Sequence, residues 1–85
     1  MDIELVHIGF GNYIMVRRVV GMLPPNSAPT KRMIHDSRIA GKVVDMTSGR
    51  RTKAVLVMDS GHVILAAIAP ETIAGRIAAD RGVQV

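Results

Sequence analysis

The sequence predicts an α+β fold, a small and mainly antiparallel sheet with two helices, in the order β-β-α-β-β-β-α within one domain over residues 1–85. Three observations lead there. Short runs rich in Val, Ile and Met are separated by Gly, Asn and Ser turn signals. Only two stretches combine helical spacing of apolar residues with recognisable start and stop residues. No linker, internal repeat or low-complexity tract divides the chain.

The first strand is read from Ile3-Glu4-Leu5-Val6-His7-Ile8, and Gly9-Phe10-Gly11-Asn12 is a turn. A second β-rich run follows from Tyr13 to Val20. Strand alternation along it puts the adjacent Arg17 and Arg18 on opposite faces, so at least one face must reach solvent, a partner subunit or a ligand. Leu23-Pro24-Pro25-Asn26 ends the run. Asn26 or Ser27 caps a helix to Ala40, with Pro29 in its first turn and Gly41 as its stop. At about 100° per residue, Thr30, Met33, Ile34, Ser37, Ala40 and Gly41 share one face, and Lys31, His35, Arg38 and Lys42 share the other.

Lys42–Met46 and Thr52–Met58 are read as the two arms of a central hairpin. After the turn at Asp59-Ser60-Gly61, the nearly continuous apolar run from His62 to Ala69 reads as a central strand covered on both faces. Pro70-Glu71 opens the second helix, Ile73, Ala74, Ile77 and Ala78 form its apolar stripe, and Gly82 closes it before the tail Val83-Gln84-Val85.

Composition narrows the function. The chain has no Cys, which removes disulfides and thiolate metal sites, and its three His lie far apart in sequence. Hydrophobic residues make up 48% of a chain too short to bury them all in its own core, so apolar surface shared between subunits is expected. The acidic start Met1-Asp2-Ile3-Glu4 is not a signal peptide, and the run Val63–Ala69 is too short to span a bilayer, so an intracellular protein is expected. Catalysis finds little support. There is no nucleophile elbow, the acids are scattered, and Asp59, Ser60 and His62 sit within one turn, where Ser and Asp serve turn chemistry. Gly9-x-Gly11 is no nucleotide loop, because a β-rich run rather than a helix follows it. No metal, cofactor or small-molecule substrate is expected.

The formal net charge is +4 and the pI is near 10.4, which favours an anionic partner. Seven of the eleven Lys and Arg lie between Lys31 and Lys53, and Asp36 and Asp45 alone oppose them there. Within that segment Thr47-Ser48-Gly49-Arg50-Arg51-Thr52-Lys53 reads as a turn that holds two adjacent guanidiniums at or near a hairpin tip. They add nothing to a core and match phosphate oxygens. Phe10 and Tyr13 are the only Phe, Tyr or Trp residues, so a platform for stacking single-stranded bases is lacking and the backbone of a duplex fits better.

Ile8-Gly9-Phe10-Gly11-Asn12, Ser27-Ala28-Pro29 with Lys31-Arg32-Met33-Ile34, Gly49-Arg50-Arg51-Thr52 with Ala54-Val55, His62-Val63-Ile64-Leu65 and Pro70-Glu71-Thr72 together resemble the RemA family of small bacterial regulators of extracellular-matrix genes. The resemblance spans almost the whole chain. It implies a DNA-binding transcriptional regulator of biofilm genes, cytoplasmic and associated with the nucleoid. It also implies a ring-shaped homo-oligomer of more than two subunits, with a fold likened to the LytTR type. The family's DNA-contacting arginines match Arg18 and Arg51, with Arg50 beside the latter. Arg17 departs from the family's more usual neutral residue, and the tail past Gly82 is short for the family. Lys53, Arg32 and Lys31 are the second-rank candidates. An RNA-binding module and a non-enzymatic oligomeric scaffold with a basic patch remain the alternatives.

Overall fold

The computed structural model describes residues 4–81. Its strands are β1 (Leu5–His7), β2 (Tyr13–Met15), β3 (Val19–Leu23), β4 (Val43–Met46), β5 (Ala54–Met58) and β6 (Val63–Ala66). The helices are α1 (Ala28–Ile39), between β3 and β4, and α2 (Pro70–Arg81), after β6. The α+β class, the mainly antiparallel sheet and the places of the two helices match the reading of the sequence. Gly82 and the tail lie outside the described residues.

β6 is Val-Ile-Leu-Ala, and all four residues are buried. A strand with no polar face must be covered on both sides, and β6 accordingly lies inside the four-stranded sheet β3-β5-β6-β4. One face of this sheet packs Val55, Val63 and Leu65 against Met33 and Ile34 of α1. The other packs Leu56, Ile64, Ala54 and Ala66 against Val6, Ile8, Ile14 and Val16 from the β1–β2 region and Ile73 of α2. The sheet is thus the middle of three layers, with α1 outside one face and the β1–β2 hairpin with α2 outside the other.

Two features differ from the sequence reading. The run from Tyr13 to Val20 is not one strand. A 3-10 turn at Val16–Arg18 divides it into β2, paired with β1, and β3, paired with β5. The turn carries the chain from the outer hairpin to the central sheet and resets the side-chain phase. Val16 is buried and Val19 packs against the core, whereas Val20 is 70% exposed. Arg17 and Arg18 therefore both lie at the surface rather than on opposite faces of a sheet.

The second correction concerns the central hairpin. β4 and β5 do not pair. β6 lies between them, antiparallel to β5 and parallel to β4. The tight turn through Gly61 (φ +85°) makes β5–β6 the true hairpin, and the apolar character of β6 claims the inner position.

Local signals place the helix ends. The Ser27 hydroxyl accepts the Thr30 N–H at 3.3 Å and its hydrogen reaches Thr30 Oγ1 at 2.8 Å, which fixes the start of α1. Gly41 supplies the left-handed residue after it (φ +72°). Ser27→Ala should cost about 1 kcal/mol of stability, read by urea denaturation. Gly9 and Gly11 both have positive φ, but a Cβ on Gly9 would lie 2.7 Å from Ile68 Cδ1, whereas one on Gly11 meets nothing within 4 Å. Gly9→Ala should therefore lower the melting temperature more than Gly11→Ala, by an extra overpacking cost of about 1–3 kcal/mol.

Candidate functional site

Because β6 separates β4 from β5, residues 47–53 form an arch over the end of β6 rather than a hairpin tip. The Lys53 N–H bonds to the carbonyl of Ala66, the last residue of β6, at 2.8 Å. At the other foot, Asp45 Oδ1 accepts both the Thr47 N–H (2.9 Å) and the Thr47 hydroxyl (2.6 Å). Thr47 is 2% exposed, and its carbonyl accepts the Arg50 N–H at 3.0 Å. Ser48 and Gly49 take left-handed conformations (φ +53° and +79°) to complete the bend. These bonds fix the backbone at both ends and leave Arg50, Arg51 and Lys53 exposed.

The hydrogen bond from the Thr47 hydroxyl, followed by that from its N–H, holds the Asp45 carboxyl below the ordinary carboxylate range. Partial desolvation opposes this, and the charge of Arg38 adds to it.

Arg50 lies with its guanidinium carbon 3.9 Å from the centre of the Phe10 ring. The Phe10 turn is joined to this end of the sheet by Asn12 Nδ2, which donates to the Met46 carbonyl at 3.0 Å. Arg51 and Lys53 line a shallow cleft of about 270 Å³ with Pro24, Pro25, Asn26 and Ala69, the approaches to both helices. Neither side chain makes a hydrogen bond or ion pair with a described residue. The cleft has chemistry matched to an anion: two exposed cations on a backbone fixed at both ends.

The other predicted contacts are placed apart. Arg18 sits at the opposite end of β5, where its carbonyl accepts the Asp59 N–H at 2.8 Å and its guanidinium pairs with Asp59 Oδ2 at 3.1 Å. The rise from Ala54 to Asp59 is about 17 Å at ~3.4 Å per residue, so Arg18 cannot share one pocket with Arg51. Both partners of the pair are well exposed, at 61% and 43%, so it contributes little stability. Arg32 borders a separate groove beside α1 with Met33, Asp36 and Lys42, and Lys31 is exposed on the same helix. Each chain thus carries a dense cationic pole at the arch and a second one around Arg18.

Reasoning from the sequence missed three participants: Asp45 as the anchor of the arch, Asp59 as the partner of Arg18, and Phe10 as the partner of Arg50. Asp two residues before Thr at a strand end was a usable signal for the first. The other two are contacts across the fold. The Ser60 hydroxyl does approach His62 Nδ1, at 2.7 Å, but the Asp59 carboxylate is engaged by Arg18, and Ser60 Oγ also receives the His62 N–H at 3.4 Å. This is a turn network rather than a relay.

Fold and site together define a small α+β domain that presents preorganised cationic loops on a rigid three-layer scaffold. The chain belongs to the RemA-like family, described as extracellular matrix regulatory protein A-like, whose model matches residues 5–77. It is 60% identical over 82 residues to a protein of Dehalococcoides mccartyi strain BAV1 whose name marks it as a candidate regulatory protein; the match covers 96% of this chain and 85% of that one. Similarly named proteins of Gloeothece citriformis and Nostoc punctiforme are 51% and 53% identical, over 99% and 95% of this chain and 96% and 92% of theirs.

The lowered carboxyl of Asp45 has a definite sign. The stabilisation it gives is complete above the unfolded value, about 3.9 for Asp, and is lost as pH falls through the lower folded value. The stability advantage of wild type over Asp45→Asn should therefore shrink as pH is lowered from 7 towards 3, read by calorimetry. An advantage that stays constant would mean the Asp45–Thr47 clamp does not depend on charge.

Proposed function

We propose that this protein is a transcriptional regulator that binds duplex DNA through a basic surface repeated around a ring-shaped homo-oligomer of more than two subunits. It acts in the cytoplasm, at the nucleoid, on extracellular-matrix and biofilm genes. The observation that carries DNA binding is the arch. Arg51 and Lys53 stand exposed on a backbone fixed by Asp45, Thr47 and Ala66, with no part in any core. The description of the family supports the regulatory role and the class of genes.

Arg51 and Arg50 are the principal phosphate contacts at the arch, with Lys53 beside them. Arg18 serves the second pole, and Lys31 and Arg32 extend the basic surface along α1. Each neutralised phosphate releases counterions, so affinity is largely electrostatic. No side-chain set on these elements resembles one that reads bases, so DNA shape and ease of bending govern site choice. Assembly is supported by apolar residues left at the surface, among them Leu5, Tyr13, Met15, Val20, Ile39 and Val44. Met15 and Val44 border a largely apolar groove of about 320 Å³ with Met46, Met58 and Ile64. Covering such surface with a neighbouring subunit would also multiply weak phosphate contacts into avidity. Among the described residues, no helix is long and apolar enough to cross a membrane.

Arg51→Ala should abolish measurable duplex binding in a gel shift, while circular dichroism and sedimentation match wild type. A variant that binds normally, or one that unfolds, refutes the role of Arg51. Light scattering of the free protein in moderate salt should give a mass above that of a dimer, and a well-folded monomer refutes the ring. Log affinity should fall linearly with log salt by roughly 0.9 per phosphate contact, and duplexes shorter than the span between neighbouring subunits should bind far more weakly. A shallow slope with equal affinity for short and long duplexes would mean that one subunit reads bases alone. Preference for structured RNA of equal length would move the assignment to RNA.

A further inference from the structure

Phe10 stands out in a chain with one Phe, one Tyr and no Trp. The residue is 46% exposed and its ring belongs to neither buried apolar cluster, so core packing does not account for it. Its backbone lies in the left-handed region at φ +56°, between two glycines that also have positive φ. A bulky residue pays a steric cost there that Gly does not, and such outliers mark places where something other than local preference decides.

The turn around Phe10 is rigid. Ile8 N–H donates to the Asn12 carbonyl at 2.9 Å, and Asn12 N–H to that of Gly9 at 3.0 Å. Asn12 Nδ2 bonds to the Gly9 carbonyl at 3.1 Å and to the Met46 carbonyl at 3.0 Å, and Gly11 N–H reaches His7 Nε2 at 3.2 Å. Met46 is the last residue of β4, one position before the buried Thr47 that anchors the arch. The Phe10 backbone and the Arg50 backbone are therefore held to the same strand end, and the guanidinium lies over the ring at 3.9 Å.

We propose that Phe10 is a positioning residue for DNA binding, holding the Arg50 guanidinium over its ring, beside Arg51, before DNA arrives. The inference rests on the DNA-binding reading above. A guanidinium has five N–H donors, and the described contact of Arg50 within its own loop is one long bond, from Nη1 to the Ser48 carbonyl at 3.5 Å. Stacking uses the flat face of the group and leaves the in-plane donors for phosphate oxygens. An exposed Arg normally loses rotamer freedom when it binds, and an Arg already ordered by a ring loses less.

The test uses Phe10→Gly, which removes the ring and relieves the positive φ at once. Its melting temperature should equal or exceed that of wild type. Its duplex affinity should fall at least about three- to tenfold, the ordering cost of one rotamer-rich side chain, and more where several subunits contact one duplex. The salt slope should stay at the wild-type value, because Arg50 keeps its charge and its phosphate contact, whereas Arg50→Ala should shallow it. The double variant Phe10→Gly/Arg50→Ala should bind within about twofold of Arg50→Ala alone, because Phe10 acts only through Arg50. Phe10→Tyr should keep wild-type affinity. In the free protein, the Arg50 Nε–H resonance should show a ring-current shift that Phe10→Gly abolishes.

Wild-type affinity in Phe10→Gly, a slope as shallow as that of Arg50→Ala, or fully additive losses in the double variant would overturn the proposal. The last result would mean that the ring acts on DNA without Arg50. If wild-type protein binds no duplex, the DNA-binding reading itself fails. If wild type binds and Arg51→Ala does not, but Phe10→Gly is silent, only the role of Phe10 fails.

Discussion

The burial of β6 on both faces is the constraint from which the rest of the arrangement follows. Val63, Ile64, Leu65 and Ala66 leave no polar side to turn toward water, so the strand must be flanked by other strands and covered above and below. α1 supplies one cover, and α2 with the β1–β2 hairpin supplies the other. With β6 inside, β4 cannot pair with β5, and the connection between them must pass over the strand end. That detour lifts the most basic segment of the chain clear of the sheet while the Lys53–Ala66 and Thr47–Asp45 bonds hold it down at both ends. A tight hairpin would have presented the same arginines on a more mobile tip.

Much of this was legible in the sequence, and what was not has physical reasons. The helix limits followed from Ser27, Pro29, Gly41 and Pro70, because capping is local chemistry. The character of β6 followed from an unbroken apolar run. The pairing of β4 did not, because neighbours in sequence usually pair and nothing local reveals an inserted third strand. The 3-10 turn at Val16–Arg18 was hidden as well, since Tyr13–Val20 is uniformly β-prone and the break is set by the need to pass from one layer to another. At the site, the exposure of Arg50 and Arg51 could be read from composition and turn chemistry. The Phe10–Arg50 and Arg18–Asp59 contacts span about 40 residues of sequence each and depend on the tertiary fold.

The two cationic poles differ in character. At the arch, Arg51 and Lys53 are exposed and, among the described residues, neither pairs with a carboxylate. Around Arg18 the nearest counter-charge is Asp59, and Lys42 Nζ reaches the Ser60 carbonyl at 3.4 Å. The second pole is thus partly satisfied within the chain, because Arg18 already has a carboxylate partner. Exposed pairs of this kind are weak and are screened further by salt. The arch, by contrast, offers its full charge from the outset.

The irregular step in β3 bears on a different hazard. β3 is an edge strand, and its register against β5 shifts between Val19 and Gly21, leaving Val20 as the extra residue. A smooth edge with a protruding Val is an open template on which newly made chains could stack without limit. The bulge breaks the row of free backbone groups after a residue or two, so a foreign strand finds no continuous ladder to extend. In a chain nearly half apolar by composition, this small defect works against edge-to-edge pairing of β3 with a strand from another chain.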